Sequence, residues 1–149
     1  MRRLAFIVLL LPLASGYGAA RDETVSDLKS RFESARPEDR PELAIRVAQL
    51  QLREADRLYA EGNVDQARAA VDDIVAYSEK SREAAVETRK HLKNVEIDVR
   101  KIAEKLRDIK RTLAFEDQPP VEQAIRRLEE VRTTLLKEMF AKENKREKK

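Results

Sequence analysis

The chain has 149 residues, 40% of them charged and only 5% aromatic, with one histidine and no cysteine. Without cysteine there are no disulfides and no thiolate metal sites, and so charged and aromatic-poor a composition fits a single domain of solvated helices joined by thin aliphatic seams. The net charge of +3 sits at the ends, in Arg2, Arg3 and the tail Lys142 to Lys149, while residues 21–141 are about −2. A duplex-binding protein carries a basic face on its folded body, so nucleic acid is not an expected partner.

Residues 1–20, MRRLAFIVLLLPLASGYGAA, have the layout of a secretory signal peptide. Two arginines precede an apolar run from Leu4 to Ala14, and small residues then place cleavage after Gly16 or Ala20. The run is about half of the roughly 20 apolar residues that span a bilayer, and Pro12 interrupts it. The chain is expected to be exported to the periplasm or the extracellular space. Lacking cysteine, it carries no lipoprotein acylation site.

Beyond residue 20, the helix breakers cluster at three places: Pro37 with Pro41, Gly62, and Pro119 with Pro120. They delimit four predicted helices. The first covers about 24–35, with Thr24 and Asp27 spaced as a capping box. The second covers 41–61, opened by Pro41 and closed by Gly62. The third covers 63–115, with Asn63 and Gln66 as a second capping box. The fourth covers 119–141, and the basic segment 142–149 is predicted to be a disordered tail.

The third segment carries the strongest pattern. From Val64 through Val71, Ser78, Ala85, Leu92, Val99 and Leu106 to Leu113, apolar or small residues keep one heptad register with no Gly or Pro. A straight helix of that length spans roughly 75–80 Å. Glu96 with Arg100, and Glu104 with Arg107, are predicted to pair along it. Short connections make neighbours antiparallel, so the second and fourth helices fold back along it. The predicted fold class is all-α, as antiparallel hairpins sharing one long coiled-coil-like central helix. The alternative is a compact four-helix bundle, formed if that helix bends at the small residues Ser78, Ser81, Ala85 and Thr88. Tyr77 and Phe115 lie off the seam and are predicted to cover core margins, Phe115 by plugging the hairpin end, the alternative being that they anchor a partner.

The string ADRLYAEGNVDQARAAVDDIV, Ala55 to Val75, resembles a single tetratricopeptide-type hairpin, with Ala55, Gly62 and Ala67 at that family's spacing. The family's closing proline is missing at Glu79, and no second copy follows after 34 residues. PVEQAIRRLEEV, from Pro120, resembles the second half of such a unit. The resemblance implies a protein-binding helical scaffold.

Nothing in the sequence assembles catalytic chemistry. His91 is alone, flanked by Lys90 and Lys93, with Glu87 at a spacing unsuited to a di-iron bundle. Asp72 and Asp73 are adjacent on a helix and point about 100° apart. One glycine past the leader makes no phosphate loop. No catalytic residue, cofactor or metal is expected, and the chain reads as a non-enzymatic exported scaffold or interaction module whose partner is another envelope or secreted protein. The alternatives are a self-associating coiled-coil homo-oligomer, or a peripheral binder of anionic membrane or envelope polymer through Lys142, Lys145, Arg146, Lys148 and Lys149.

Overall fold

A computed structural model of the chain describes residues 23–147, with side chains through residue 141. The predicted leader, Lys148 and Lys149 lie outside the described residues. The fold is all-α: α1 (Val25–Ser34), α2 (Arg40–Ala60), α3 (Val64–Thr88), α4 (Leu92–Thr112), a 3-10 turn at Phe115–Asp117, and α5 (Gln118–Glu147). No strand occurs among the described residues.

Local chemistry explains most of the ends. The Thr24 hydroxyl accepts from the Asp27 N–H at 3.1 Å while the Asp27 carboxylate takes the Thr24 N–H at 3.4 Å, so the predicted capping box forms. Pro41 lies in the first turn of α2, where its missing N–H has no intrahelical partner to lose. At the far end Gly62 adopts φ +79°. Its N–H donates to the Tyr59 carbonyl and the Asn63 N–H donates to the Leu58 carbonyl, which closes the helix as a Schellman motif. The predicted second capping box is not made. The Asn63 side chain makes no cap hydrogen bond and its amide donates to Glu61 Oε2 instead, because the backbone of Asn63 is already committed to the Schellman closure.

The continuous helix predicted over 63–115 is broken. Arg89 and His91 both have left-handed backbone, φ 58° and 63°, and the chain turns back between α3 and α4. The break follows immediately after the small-residue stretch Ser78–Thr88. A non-glycine residue in this region costs on the order of 1–2 kcal/mol. What offsets that cost is burial: seam residues on both sides of the break, Ala67 through Ala85 and Leu92 through Ile109, are removed from solvent. The turn places α4 beside α2 and α5 beside α3, so each half of the seam is covered by its own hairpin partner and by the other layer.

The result is two antiparallel hairpins packed as two layers, α2 with α3 and α4 with α5. Helix α4 lies beside α2, and α5 beside α3, each pair parallel. Polar side-chain contacts record the register. Arg68–Asp117, Glu79–Arg127 and Arg89–Glu138 join α3 and its C-cap to α5 and the turn before it at separations of 49, 48 and 49 residues. The Glu42–His91 contact and the Asp56–Lys105 ion pair join α2 to α4 and its N-cap, each 49 residues apart. The hairpins also share a burial pattern: Ala44, Ala48, Ala55 and Leu58 of α2 match Val95, Val99, Leu106 and Ile109 of α4. In the same way Ala67, Ala70, Ile74 and Tyr77 of α3 match Val121, Ala124, Leu128 and Val131 of α5.

Helix α1 closes the outer side of the first layer. Leu28 is fully buried, Phe32 meets Tyr77 edge-on at 5.8 Å, and Lys29 Nζ reaches Asp73 Oδ2 at 2.6 Å. Tyr77 thus covers a core margin, as predicted. Phe115 does not: it is 84% exposed on the turn between α4 and α5, because the adjacent Asp117 is held by Arg68 and Leu113 closes the hairpin from inside. The predicted Glu96–Arg100 and Glu104–Arg107 pairs give way to Glu96–Arg132 at 2.7 Å, Arg100–Glu104 at 3.6 Å and Arg107–Glu129 at 2.6 Å. A buried Glu96 finds its cation across the layer on α5, which a single-helix reading cannot see.

Two outcomes test this packing. Leu128→Ala, at a fully buried site between the hairpins, is expected to cost about 2–5 kcal/mol in urea unfolding. Gly62→Ala has no heavy atom within 4 Å of the added methyl. It is expected to cost only the left-handed backbone penalty, about 1 kcal/mol.

Candidate functional site

Three adjoining clefts meet at Arg46 on α2. One, of about 520 Å³, is lined by Glu23, Leu28, Gln49, Leu50 and Arg53; one of about 380 Å³ runs toward Arg31 and Asp39; one of about 290 Å³ lies between α2 and α4. Glu23 organises the first two, accepting from both Arg31 and Arg46. These contacts fasten the start of α1 to α2, so Glu23, Arg31 and Arg46 are used in holding the fold together. The third cleft contains Asp98, beside Glu42, Gln49 and Asn94. Burial lifts the Asp98 carboxyl above the usual carboxylate range, with the Lys101 ammonium partly opposing the shift.

Several other polar groups make contacts within the fold. Asp73 accepts from Lys29 and Gln51, which separates its work from that of the exposed Asp72. His91 Nδ1 stands 3.0 Å from Glu42 Oε1 at the interhairpin turn. Ser81 donates to the Pro41 carbonyl at 2.7 Å, tying α3 to the start of α2. Burial pushes the Tyr59 phenol up from its ordinary value, with Arg68 acting in the opposite direction. Among the described residues, no group of three or more His, Cys, Asp or Glu side chains converges, and no helix is long and apolar enough to cross a membrane.

The free end of α5 is different in kind. The helix predicted to stop at residue 141 runs to Glu147, so Lys142, Lys145 and Arg146 fall in a helix and not in a disordered tail. Leu135 and Met139 are the last side chains it gives to the core. The Arg89–Glu138 pair marks the level where α3 ends, and nine residues follow it, roughly 13 Å of helix. At the root of this projection Phe140 is 58% exposed, one of two large apolar side chains so placed among the described residues. The sequence marked the basic residues; it missed the projection, because the length of α5 matters only against the register of α3 and α4.

Comparison of this chain with family models, with curated proteins and with solved structures gave no match. The α2–α3 hairpin, with helices of 21 and 25 residues, is also longer than a tetratricopeptide unit of roughly 34 residues.

Asp98 yields a prediction with a definite sign. A carboxyl whose pKa is raised on folding favours the protonated state, so its contribution to stability is present at low pH and lost as pH rises through the folded-state pKa. Asp98→Asn is therefore expected to raise the melting temperature at neutral pH, and this advantage should shrink toward zero as the pH falls below the ordinary carboxylate range. Calorimetric scans of both proteins at a series of pH values measure it.

Proposed function

We propose that this chain is a non-enzymatic, exported helical interaction module, and that the projecting end of α5 is its contact element. The observation that carries this reading is the nine-residue overhang beyond Glu138, with exposed Phe140 at its base and Lys142, Lys145 and Arg146 along it. A rigid helix presenting one aromatic anchor needs little ordering on binding, and an aromatic at the edge of a basic segment is the composition of a contact hot spot. The partner suited to it is another envelope or secreted protein with an acidic rim around an apolar pocket. The two-layer body supplies the rigidity: four ion pairs, the His91–Glu42 contact and a common buried seam fix the helix from which the contact element extends.

A second reading is favoured by the same basic residues. Five cations among the last eight residues suit an anionic lipid or envelope polymer, at about 1 kcal/mol per residue near such a surface. The two readings differ in what Phe140 does.

Photo-crosslinking from position 141 in intact cells, followed by fractionation, tests export and partner together. A discrete protein adduct that disappears with Phe140→Asp, while the melting temperature stays within a few degrees, is the expected result. An affinity loss of about tenfold or more, equivalent to roughly 1.4 kcal/mol, is expected for that substitution with the captured partner. Adducts that persist with Phe140→Asp, combined with salt-sensitive sedimentation on anionic vesicles that requires residues 142–149, would instead establish the surface reading. Recovery of the protein only from the cytosol would exclude export.

A further inference from the structure

The seam and the turn at 89–91 are at odds. Ala85, Thr88, Leu92 and Val95 keep the three-and-four spacing of an uninterrupted helix, so the break shifts the heptad by nothing. No Gly or Pro stands between Asn63 and Gln118 to favour a reversal. The chain nonetheless reverses through two non-glycine residues in left-handed backbone, Arg89 and His91. Every interlayer tie, moreover, runs from one hairpin to the other: Asp56–Lys105, Arg68–Asp117 and Glu79–Arg127 all join residues on opposite sides of the turn.

We propose that residues 89–91 form a domain-swapping hinge, and that a second copy of this chain is the partner it admits. Straightening the hinge joins α3 and α4 into one helix over residues 64–112. Each hairpin then packs on the complementary hairpin of the other copy. Asp56–Lys105, Arg68–Asp117, Glu79–Arg127 and the buried seam re-form between copies, while the contacts of the hinge residues themselves, Arg89–Glu138 and His91–Glu42, are given up as Arg89 and His91 return to ordinary helical backbone. The 49-residue register places residues 139–147 of α5 level with residues 90–98 of the straightened helix, so the exposed Phe140 gains a neighbour in the dimer. Loss of translational freedom opposes the exchange, which makes the dimer concentration-dependent. The inference does not rest on the docking role of α5, although the dimer covers Phe140: it is read from oligomeric state, which a failed partner capture leaves untouched.

The test exploits the absence of native cysteine. Asp56→Cys with Lys105→Cys places one thiol on each layer, and a short bis-maleimide reports whether the two layers in contact belong to one chain or two. The native hinge, an Arg89→Gly/His91→Gly hinge and an Arg89→Ala/Lys90→Ala/His91→Ala hinge, all in a Glu42→Gln/Glu138→Gln background that removes the contacts of Arg89 and His91 alike, are compared by sedimentation after refolding from urea at high micromolar concentration. Glycine relieves the left-handed strain and is expected to raise the monomer–dimer midpoint at least tenfold. Alanine favours the straight helix and is expected to lower it at least tenfold, with crosslinks in the dimer fraction joining two chains. Monomer alone for the native hinge, or dimers whose crosslinks stay within one chain, overturns the proposal. If the alanine hinge loses helix by circular dichroism, the glycine hinge decides: a midpoint at or below that of the native hinge also overturns it.

Discussion

The rest of the structure depends on one constraint: a single apolar seam, running from Ala67 to Ile109 on one heptad register, has to leave water. A lone helix cannot bury its own stripe, and most helical stability comes from packing such a face and not from propensity. Here the chain turns back at Arg89–His91, and each half of the stripe packs on its own hairpin partner and on the other layer. Two left-handed residues are a modest cost, on the order of 1–2 kcal/mol each, against burial of side chains such as Val95, Val99 and Leu106, at about 1.5–3 kcal/mol apiece. The comparison favours the turn even where the local sequence favours a helix.

Charge then fixes the register that packing alone leaves loose. Arg68–Asp117, Glu79–Arg127 and Arg89–Glu138 hold α5 to α3 at a nearly constant 49-residue offset, and Glu42–His91 with Asp56–Lys105 hold α4 to α2 at the same offset. Most of these pairs are half exposed, so each contributes little to stability. Their common spacing contributes specificity: a one-turn slip would separate all five together. It also sets how far α5 extends beyond its neighbours, which connects the electrostatics of the body to the contact element proposed at its end.

The clefts around Arg46 illustrate why concavity alone does not define a site. The Glu23 carboxylate is already held by Arg31 and Arg46, and so it fastens α1 to α2. The end of α5 has the opposite character, with a large apolar side chain exposed where the core has ended.

Much of this was legible in the residues. The Thr24–Asp27 capping box, the closure at Gly62, the start of α5 around Pro119 and Pro120, and the buried positions of the seam all follow from short-range chemistry, and each is local to one turn of chain. The basic residues 142, 145 and 146 were also visible, though their helical state was not. What the sequence by itself determined is that the chain is all-α, where most of its helices begin and end, and which stripe must be buried. Only the tertiary structure decided that the stripe folds at residues 89–91, that Glu96 pairs with Arg132 on another helix, and that α5 outreaches its neighbours. The reason is physical: capping and periodicity are set within a few residues, whereas the choice between a straight and a folded seam compares a small local strain with a burial energy summed over two hairpins, and no local window contains both.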